Sequence, residues 1–323
     1  MARGVDRLEP LDSAAVPRFA EIATFMRFPH APARRGIDVG LVGVPFDAGA
    51  TNRSGARHGP AGVREASRTI RRINPTTGVN PSALCAVADL GDVACNPVDL
   101  PASIASIERF YAGLAELGIA PVTVGGDHTI TYPILKGLHR GEPVGVVHFD
   151  SHADTLDELL GTRINHGTPF RRAVEDGAID PRRMVQVGLR GTRYGDDDLR
   201  FGLDAGMRLI TMDEYEAVGR DAAVAEMRRV VGAGPTYVTF DIDGLDPCYA
   251  IGTGTPEPGG LTMRDAQMML RGLTGLDVVG GDVVEVAPPL DPTGITALSG
   301  ANLLFEITCL VAAAVARRRA AEG

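Results

Sequence analysis

The stretch VGVVHFDSHADT, residues 144–155, indicates the fold class, because an unbroken apolar run passes directly into alternating polar residues. Near-continuous apolar runs of this length are typical of strands buried on both faces of a sheet. Similar runs begin at Ile37, Cys85, Pro121, Met184, Met207, Thr236 and Val278. Helix-like segments lie between most of them, for example after Pro60, at 103–117 and before Gly232. This alternation predicts a single three-layer α/β/α domain with a parallel sheet of about eight strands.

Composition and charge exclude several classes of protein. The chain has 323 residues, 44% of them hydrophobic, and a formal net charge of −9, which speaks against nonspecific binding of nucleic acid. No apolar run approaches the roughly 20 residues that span a bilayer. The N-terminus lacks the apolar segment of a signal peptide, and the four cysteines are far apart. We therefore expect a cytoplasmic protein with reduced thiols and no membrane partner, in which residues 1–35 form an irregular extension that precedes the domain at 36–323.

Polar residues cluster where the predicted strands end, which is where open α/β sheets place their ligands. These residues are Asp127, His128, Asp150, His152, Asp154, Asp241, Asp243 and Glu285. Side chains two positions apart on a strand point the same way. Asp150, His152 and Asp154 can therefore converge on one point, and Asp241 and Asp243 can do the same.

Four aspartates packed together would repel one another unless cations lie between them. Two divalent ions would balance Asp150, Asp154, Asp241 and Asp243, with the neutral imidazoles of His128 and His152 as nitrogen ligands. Mixed carboxylate and imidazole ligation without thiolate suits Mn²⁺, and less clearly Fe²⁺, Ni²⁺, Co²⁺ or Zn²⁺. The sequence thus predicts a two-metal centre that can activate a water molecule.

Individual motifs also have simpler interpretations. GGDH at 125–128 alone could be a turn followed by a structural histidine. DIDGLDP at 241–247 resembles the start of an EF-hand loop, but Gly252 occupies the twelfth position, where that loop needs Glu. GTGTPEPGG at 252–260 lacks the ending of a phosphate-binding loop and is interpreted as an active-site loop. The basic run 317–319 is interpreted as a solvated face.

With the motifs GGDH, DSHAD and DIDGLDP in this order, the chain resembles the ureohydrolase family of arginases, agmatinases and their relatives. The segments TNRSGARHGP at 51–60, NHGTPFRRAVEDG at 165–177, GTGTPEPGG and VVEVAPPLD at 283–291 resemble its agmatinase branch. PRFAEIATFMRFPH at 17–30 is similar to the N-terminal segment of bacterial guanidinopropionases and guanidinobutyrases. The resemblance covers nearly the whole chain and implies an arginase-like fold.

The resemblance also implies the reaction and the residues that carry it. It implies hydrolysis of a guanidino compound to urea and an amine at two Mn²⁺ ions, with Ni²⁺ as an alternative. One ion would be held by His128 and Asp154, the other by His152 and Asp243, and both would be bridged by Asp150 and Asp241. By the same resemblance His166 transfers a proton with help from Asp154, and Glu285 holds the substrate guanidinium. Relatives of this branch imply a homotrimer or homohexamer.

The segment TLDELLGTRIN at 155–165 matches the loop that sets substrate specificity in the family. Leu156 and Leu159 stand where relatives carry other residues, so we expect these two and Asp157 to contact the substrate. An apolar pocket suits a short guanidino acid, an N-alkylated guanidine or a biguanide, whereas agmatine would need an acid such as Asp157 or Glu158. Two hypotheses of other classes are a different dimetal hydrolase and a non-catalytic partner subunit. The match at His166 and Glu285 argues against the first, and the complete ligand set argues against the second.

Overall fold

The computed structural model describes residues 8–195 and 197–322, and its centre is an eight-stranded sheet. The strands are β1 Val39–Val44, β2 Val87–Asp92, β3 Ala120–Gly125, β4 Val144–Phe149, β5 Ile179–Leu189, β6 Arg208–Thr211, β7 Thr236–Asp241 and β8 Val278–Val284. Their order is β2-β1-β3-β8-β7-β4-β5-β6, and every neighbouring pair is parallel. The predicted parallel sheet is confirmed, and each of the eight apolar runs forms one of its strands.

Helices cover both faces of this sheet. They are α1 Gly59–Ser67, α2 Pro81–Leu84, α3 Leu100–Leu117, α4 Thr131–Leu138, α5 Pro169–Glu175, α6 Asp197–Ala205, α7 Met212–Val218, α8 Arg220–Val231, α9 Met263–Gly272 and α10 Ile295–Glu322. One apolar core joins the sheet to α1, α8, α9 and α10, and a second joins the opposite face to α3, α4 and α5. This arrangement is the predicted three-layer fold, and it buries the strands on both sides.

Local sequence signals determine where the helices begin and end. At the start of α3 the Asp99 carboxylate accepts a hydrogen bond from the Ala102 amide, which satisfies one of the free N–H groups of the first turn. Gly118 ends the same helix with φ +74°, a left-handed conformation that glycine adopts without strain. The predicted helix at 103–117 therefore begins three residues earlier than expected, at the residue after its cap.

The last helix, α10, belongs to the core of the domain. It is long and apolar enough to cross a membrane, but 83% of its most apolar window is buried inside the fold. The basic run near its end lies at the surface as predicted, with Arg317 and Arg319 exposed, and its side chains also contact the domain. Arg317 donates to the Leu276 carbonyl, Arg318 pairs with Asp277, and Arg319 pairs with Asp38. The helix therefore ends in ion pairs with the start of the sheet.

The described part of the N-terminal segment, residues 8–35, runs along the edge of the domain near β2. It contains one short 3-10 turn, Phe25–Arg27. The Phe25 amide donates to the Asp89 carboxylate, and the Met26 amide donates to the Ser67 hydroxyl of α1. These bonds attach the segment to the domain at buried positions.

Candidate active site

The four central strands β3, β8, β7 and β4 carry the predicted site at their carboxyl ends. His128 follows β3, and its Nδ1 lies 3.1 Å from Asp150 Oδ2, 3.0 Å from Asp154 Oδ2 and 3.2 Å from Asp241 Oδ2. Asp150 and Asp154 follow β4, and Asp241 ends β7. Four of the six predicted ligands thus surround one point at the centre of the sheet edge.

The remaining two predicted ligands meet at a second point beside the first. His152 Nδ1 lies 3.2 Å from Asp243 Oδ2 and 3.4 Å from Asp150 Oδ1. Ser151 Oγ donates to Asp243 Oδ1 at 2.7 Å. Because Asp150 presents Oδ2 to the first point and Oδ1 to the second, its carboxylate joins the two.

The convergence after β4 has a different cause from the one the sequence suggested. The strand ends at Phe149, so Asp150, His152 and Asp154 lie on a bend rather than along a strand. Asp154 reaches the site with φ +52°, a left-handed conformation that is uncommon for a residue other than glycine. Strained backbone of this kind is concentrated at functional sites, where the surrounding structure holds it in place.

The donor set fits divalent cations. His128 Nδ1 is fully buried and makes no directed hydrogen bond to any residue that the structure describes, although three carboxylate oxygens lie within 3.2 Å of it. Burial and the neighbouring carboxylates raise the pKa of Asp241 well above its usual range, and the same two causes raise the pKa of Asp243. A cation bound among these oxygens would offset the repulsion between the carboxylates, and it would also give the His128 nitrogen a partner.

His166 and Glu285 form a second pair next to the acidic cluster. His166 Nδ1 lies 3.0 Å from Glu285 Oε1, and its Nε2 lies 2.7 Å from the Thr51 hydroxyl. The same Glu285 oxygen accepts the His128 amide at 2.9 Å, and Glu285 has φ +62°. Burial alone would lower the pKa of His166, but the hydrogen bond and charge of Glu285 raise it to about 9.

A cavity of about 740 Å³ opens beside the cluster, and the predicted site residues His152, Asp154, His166 and Asp241 line it. Leu156 and Leu159 line it as predicted, together with Arg190, Arg193, Asp213 and Glu257. Arg190 is fully engaged, because its guanidinium donates to several backbone carbonyls, including those of Asp243 at 2.7 Å and Leu245 at 3.0 Å. The cavity is large enough for a small guanidino compound, and Glu285, which contacts His166, is not among the residues that line it.

Comparison with known proteins identifies the family. Residues 37–310 match the sequence profile of the arginase family. The chain belongs to the arginase family. Guanidinopropionase of Pseudomonas aeruginosa is 52% identical over 313 residues, which cover 97% of this chain and 98% of that protein.

Two solved structures are similar. Proclavaminate amidinohydrolase of Streptomyces clavuligerus has a TM-score of 0.88 and 39% identity, covering 92% of this chain and 99% of that one. Formiminoglutamase of Trypanosoma cruzi, solved with Mn²⁺, has a TM-score of 0.77 and 25% identity, covering 87% and 96%.

This membership confirms the predicted family, fold and enzyme class. The protein is a hydrolase of the arginase and agmatinase type, which acts on linear guanidino compounds. Arginase-family membership also implies a binuclear metal centre, and the described residues include two groups of His and Asp side chains able to hold metal ions.

Asp157, a predicted substrate contact of this arginase-family site, is paired with two arginines. Asp157 does not line the cavity. Its Oδ1 lies 2.7 Å from Arg172 Nη2 and 2.9 Å from Arg163 Nη2, on the outer side of the loop. The hydrogen bonds from these two guanidinium groups lower the pKa of Asp157 to about 2. The Asp157 carboxylate is therefore paired with these two arginines and does not face the cavity.

Sequence reasoning also missed two buried polar residues beneath the arginase-family site. His148 lies inside the apolar run of β4, and its Nε2 is 2.8 Å from Asp150 Oδ2. Gln186 on the neighbouring strand β5 contacts the same imidazole, with its Nε2 2.9 Å from His148 Nδ1. One signal was present, since His148 precedes Asp150 by two positions in a run that is otherwise apolar.

Proposed function

We propose that this protein hydrolyses a short guanidino acid, 3-guanidinopropionate or 4-guanidinobutyrate, to urea and the corresponding amino acid. The observation that carries the proposal is the position of Arg193. It lines the cavity and has no ion-pair or hydrogen-bond partner among the residues that the structure describes. A carboxylate is the natural partner of such a guanidinium group. The similarity to guanidinopropionase supports the same class of substrate.

The metal ligands in this proposal are the six side chains at the sheet edge. His128 and Asp154 would hold one ion, His152 and Asp243 the other, and Asp150 and Asp241 would bridge both. Two divalent ions bound there would supply Lewis acidity and lower the pKa of a bound water molecule. Mn²⁺ is proposed because the ligands are oxygen and imidazole nitrogen without thiolate, and because the similar formiminoglutamase was solved with Mn²⁺. Ni²⁺ satisfies the same ligands.

The chain's own residues bind the substrate and move its protons. Glu285 accepts hydrogen bonds from the guanidinium, and its carboxylate is held in place by the His128 amide at 2.9 Å. His166 lies beside Glu285 and can hold a proton at Nδ1, facing Glu285 Oε1 at 3.0 Å, because its Nε2 accepts a hydrogen bond from the Thr51 amide at 3.2 Å. We propose that His166, assisted by Asp154, delivers this proton to the departing amine.

The cavity walls select the rest of the substrate. Leu156 and Leu159 offer an apolar wall along a short methylene chain, and Arg193 meets the carboxylate beyond it. Agmatine is the second candidate, because Asp213 and Glu257 line the same cavity and would attract its terminal ammonium. The leucines would also accept an N-alkylated guanidine or a biguanide.

The test is hydrolysis of a panel of guanidines by protein reconstituted separately with Mn²⁺ and Ni²⁺. We expect turnover of a guanidino acid, and Arg193→Gln should raise its KM by about 10- to 100-fold, the loss of one charged hydrogen bond. Arg229→Gln, which changes an arginine paired with Glu226 on the surface, is the matched control.

Other outcomes distinguish the alternatives. A preference for agmatine that Asp213→Asn abolishes would contradict the carboxylate role of Arg193. Turnover of alkylated guanidines alone would show that the apolar wall of Leu156 and Leu159 selects the substrate. Silence on every guanidine, with two ions bound, would indicate a partner subunit. We also propose a cytoplasmic homotrimer or homohexamer, which light scattering and cell fractionation would check.

A further inference from the structure

We propose that His148 positions the bridging carboxylate Asp150 as a hydrogen-bond donor, and that Gln186 sets the imidazole tautomer that makes this possible. The inference rests on the proposed role of Asp150 as a ligand to both ions. His148 and Asp150 are both fully buried at the end of β4. Gln186 is fully buried as well and is the direct partner of His148 in the parallel pairing of β4 with β5.

The orientation of the Gln186 amide follows from its two contacts. Its Nε2 lies 2.6 Å from the Ala153 carbonyl oxygen and 2.9 Å from His148 Nδ1. A carbonyl oxygen only accepts, so the amide nitrogen must face Ala153, because a flipped amide would set two oxygens against each other. Gln186 Oε1 is buried with no hydrogen-bond partner among the described residues, so the nitrogen alone orients the group.

This orientation fixes the tautomer of His148. Because Gln186 donates to Nδ1, that nitrogen must carry a lone pair, and the ring hydrogen is on Nε2. Nε2 lies 2.8 Å from Asp150 Oδ2 and donates to it. The other oxygen, Oδ1, accepts the His152 amide at 2.6 Å. Each oxygen of the Asp150 carboxylate therefore accepts a hydrogen bond from the protein, Oδ2 from His148 and Oδ1 from the His152 amide.

The same argument excludes His148 as a metal ligand. Donor atoms of His128, His148 and Asp150 lie within 4.8 Å of one another, close enough to suggest a three-ligand site. A ligating nitrogen needs a free lone pair, but the Nε2 of His148 carries a hydrogen and its Nδ1 already accepts from Gln186. Phe170 packs against the His148 ring at 4.3 Å between centroids and holds it in place. His148 therefore acts on the metals through Asp150.

Residues that orient a metal ligand in this way change metal affinity by about 10- to 100-fold when replaced. The test measures Mn²⁺ bound to the full-length chain by competition with a chelator, with elemental analysis of the ions retained. We expect His148→Leu to weaken Mn²⁺ binding by about 10- to 100-fold. His148→Gln, whose amide nitrogen can reach the position of Nε2, should restore most of the affinity. Gln186→Met, which removes the donor to Nδ1, should weaken binding as well.

The control is His139→Leu, the same change at the end of α4, away from the site. Unfolding of each metal-free variant separates loss of the fold from loss of the metals. Equal Mn²⁺ affinity in wild type and His148→Leu would overturn the proposal. Equal weakening in His148→Leu and His148→Gln would also overturn it, because ring packing would then hold the site. If the wild type binds two ions but hydrolyses no guanidine, the proposed function fails while the affinity differences still decide this inference.

Discussion

The contact between His166 and Glu285 has a consequence that can be measured in the metal-free protein. Both side chains are largely buried, and His166 Nδ1 lies 3.0 Å from Glu285 Oε1. Burial acts against a charged imidazole, yet the Glu285 carboxylate outweighs it and raises the pKa of His166 from 6.5 to about 9. Replacing Glu285 with Gln keeps the shape of the side chain and removes its charge.

The size of the effect follows from the two pKa values. The difference between about 9 and 6.5 corresponds to about 3 kcal/mol of extra stabilisation of the protonated ring. Glu285→Gln should remove most of it and return the pKa of His166 to about 6.5 or below, since burial then acts with less opposition. Because the folded-state pKa is raised, the pair stabilises the metal-free wild type fully below pH 6.5 and loses this contribution as pH rises through about 9.

The assay is an NMR titration of ring-labelled histidine in metal-free protein, with His166 assigned by its loss in His166→Asn. Asp213→Asn removes a carboxylate from the same cavity without a contact to His166, so it is the matched control. We expect the control to leave the His166 titration near its wild-type midpoint. A midpoint near 9 that persists in Glu285→Gln would refute the assignment of the shift to this contact.

Three further predictions concern the surroundings of the site. Phe170→Ala should lower the free energy of unfolding of the metal-free protein by about 3–5 kcal/mol, because the ring is fully buried. Phe19→Ala, at a side chain that is 87% exposed, should change it by less than about 0.5 kcal/mol in the same denaturant titration. Asp157→Asn should leave KM unchanged for every substrate, since the carboxylate faces its arginines and not the cavity; a raised KM would restore it as a substrate contact. Gly188→Ala should lower both the free energy of unfolding and the amount of Mn²⁺ bound. The residue has φ +109°, and an added Cβ would lie 2.8 Å from the Asp150 carbonyl oxygen. Gly141→Ala, with φ +93° and open space, isolates the backbone strain of about 1–2 kcal/mol.

The sheet was predictable because its strands are buried on both faces and read as continuous apolar runs. The strand order was not predicted, since it depends on pairings between segments far apart in the chain. The site was predictable because the carboxyl ends of parallel strands share one edge, so motifs after β3, β4 and β7 had to meet. Asp154 shows the limit of the local argument. It reaches the cluster by a left-handed turn after β4, which alternation along a strand does not describe.

The positions of Asp157 and His148 could not be derived from the sequence, for opposite reasons. Asp157 is an acid at the right distance along the specificity loop, but the loop places it beside Arg163 and Arg172, and their positions depend on α5 and the loop end. His148 lies in a strand that had already been assigned to the core. A polar side chain in such a run needs a partner, because an unpaired buried imidazole is costly. That partner, Gln186, lies on a strand whose pairing the sequence does not reveal.

The substrate is the property that the sequence determines least, and the structure explains why. Every proposed metal ligand lies at the end of a central strand or within five residues after it, so the sheet brings these side chains together. The cavity wall instead comes from segments such as 155–165 and 190–194, which leave the sheet edge as loops. Among the described residues there, Arg193 lines the cavity without an ion pair to another of them, and in our proposal it competes with the acids Asp213 and Glu257 for the far end of the substrate. A substrate carboxylate is attracted to Arg193, and a substrate ammonium is attracted to Asp213 and Glu257. Replacing one of these charges should therefore change which guanidino compound is preferred without altering the chemistry at Glu285.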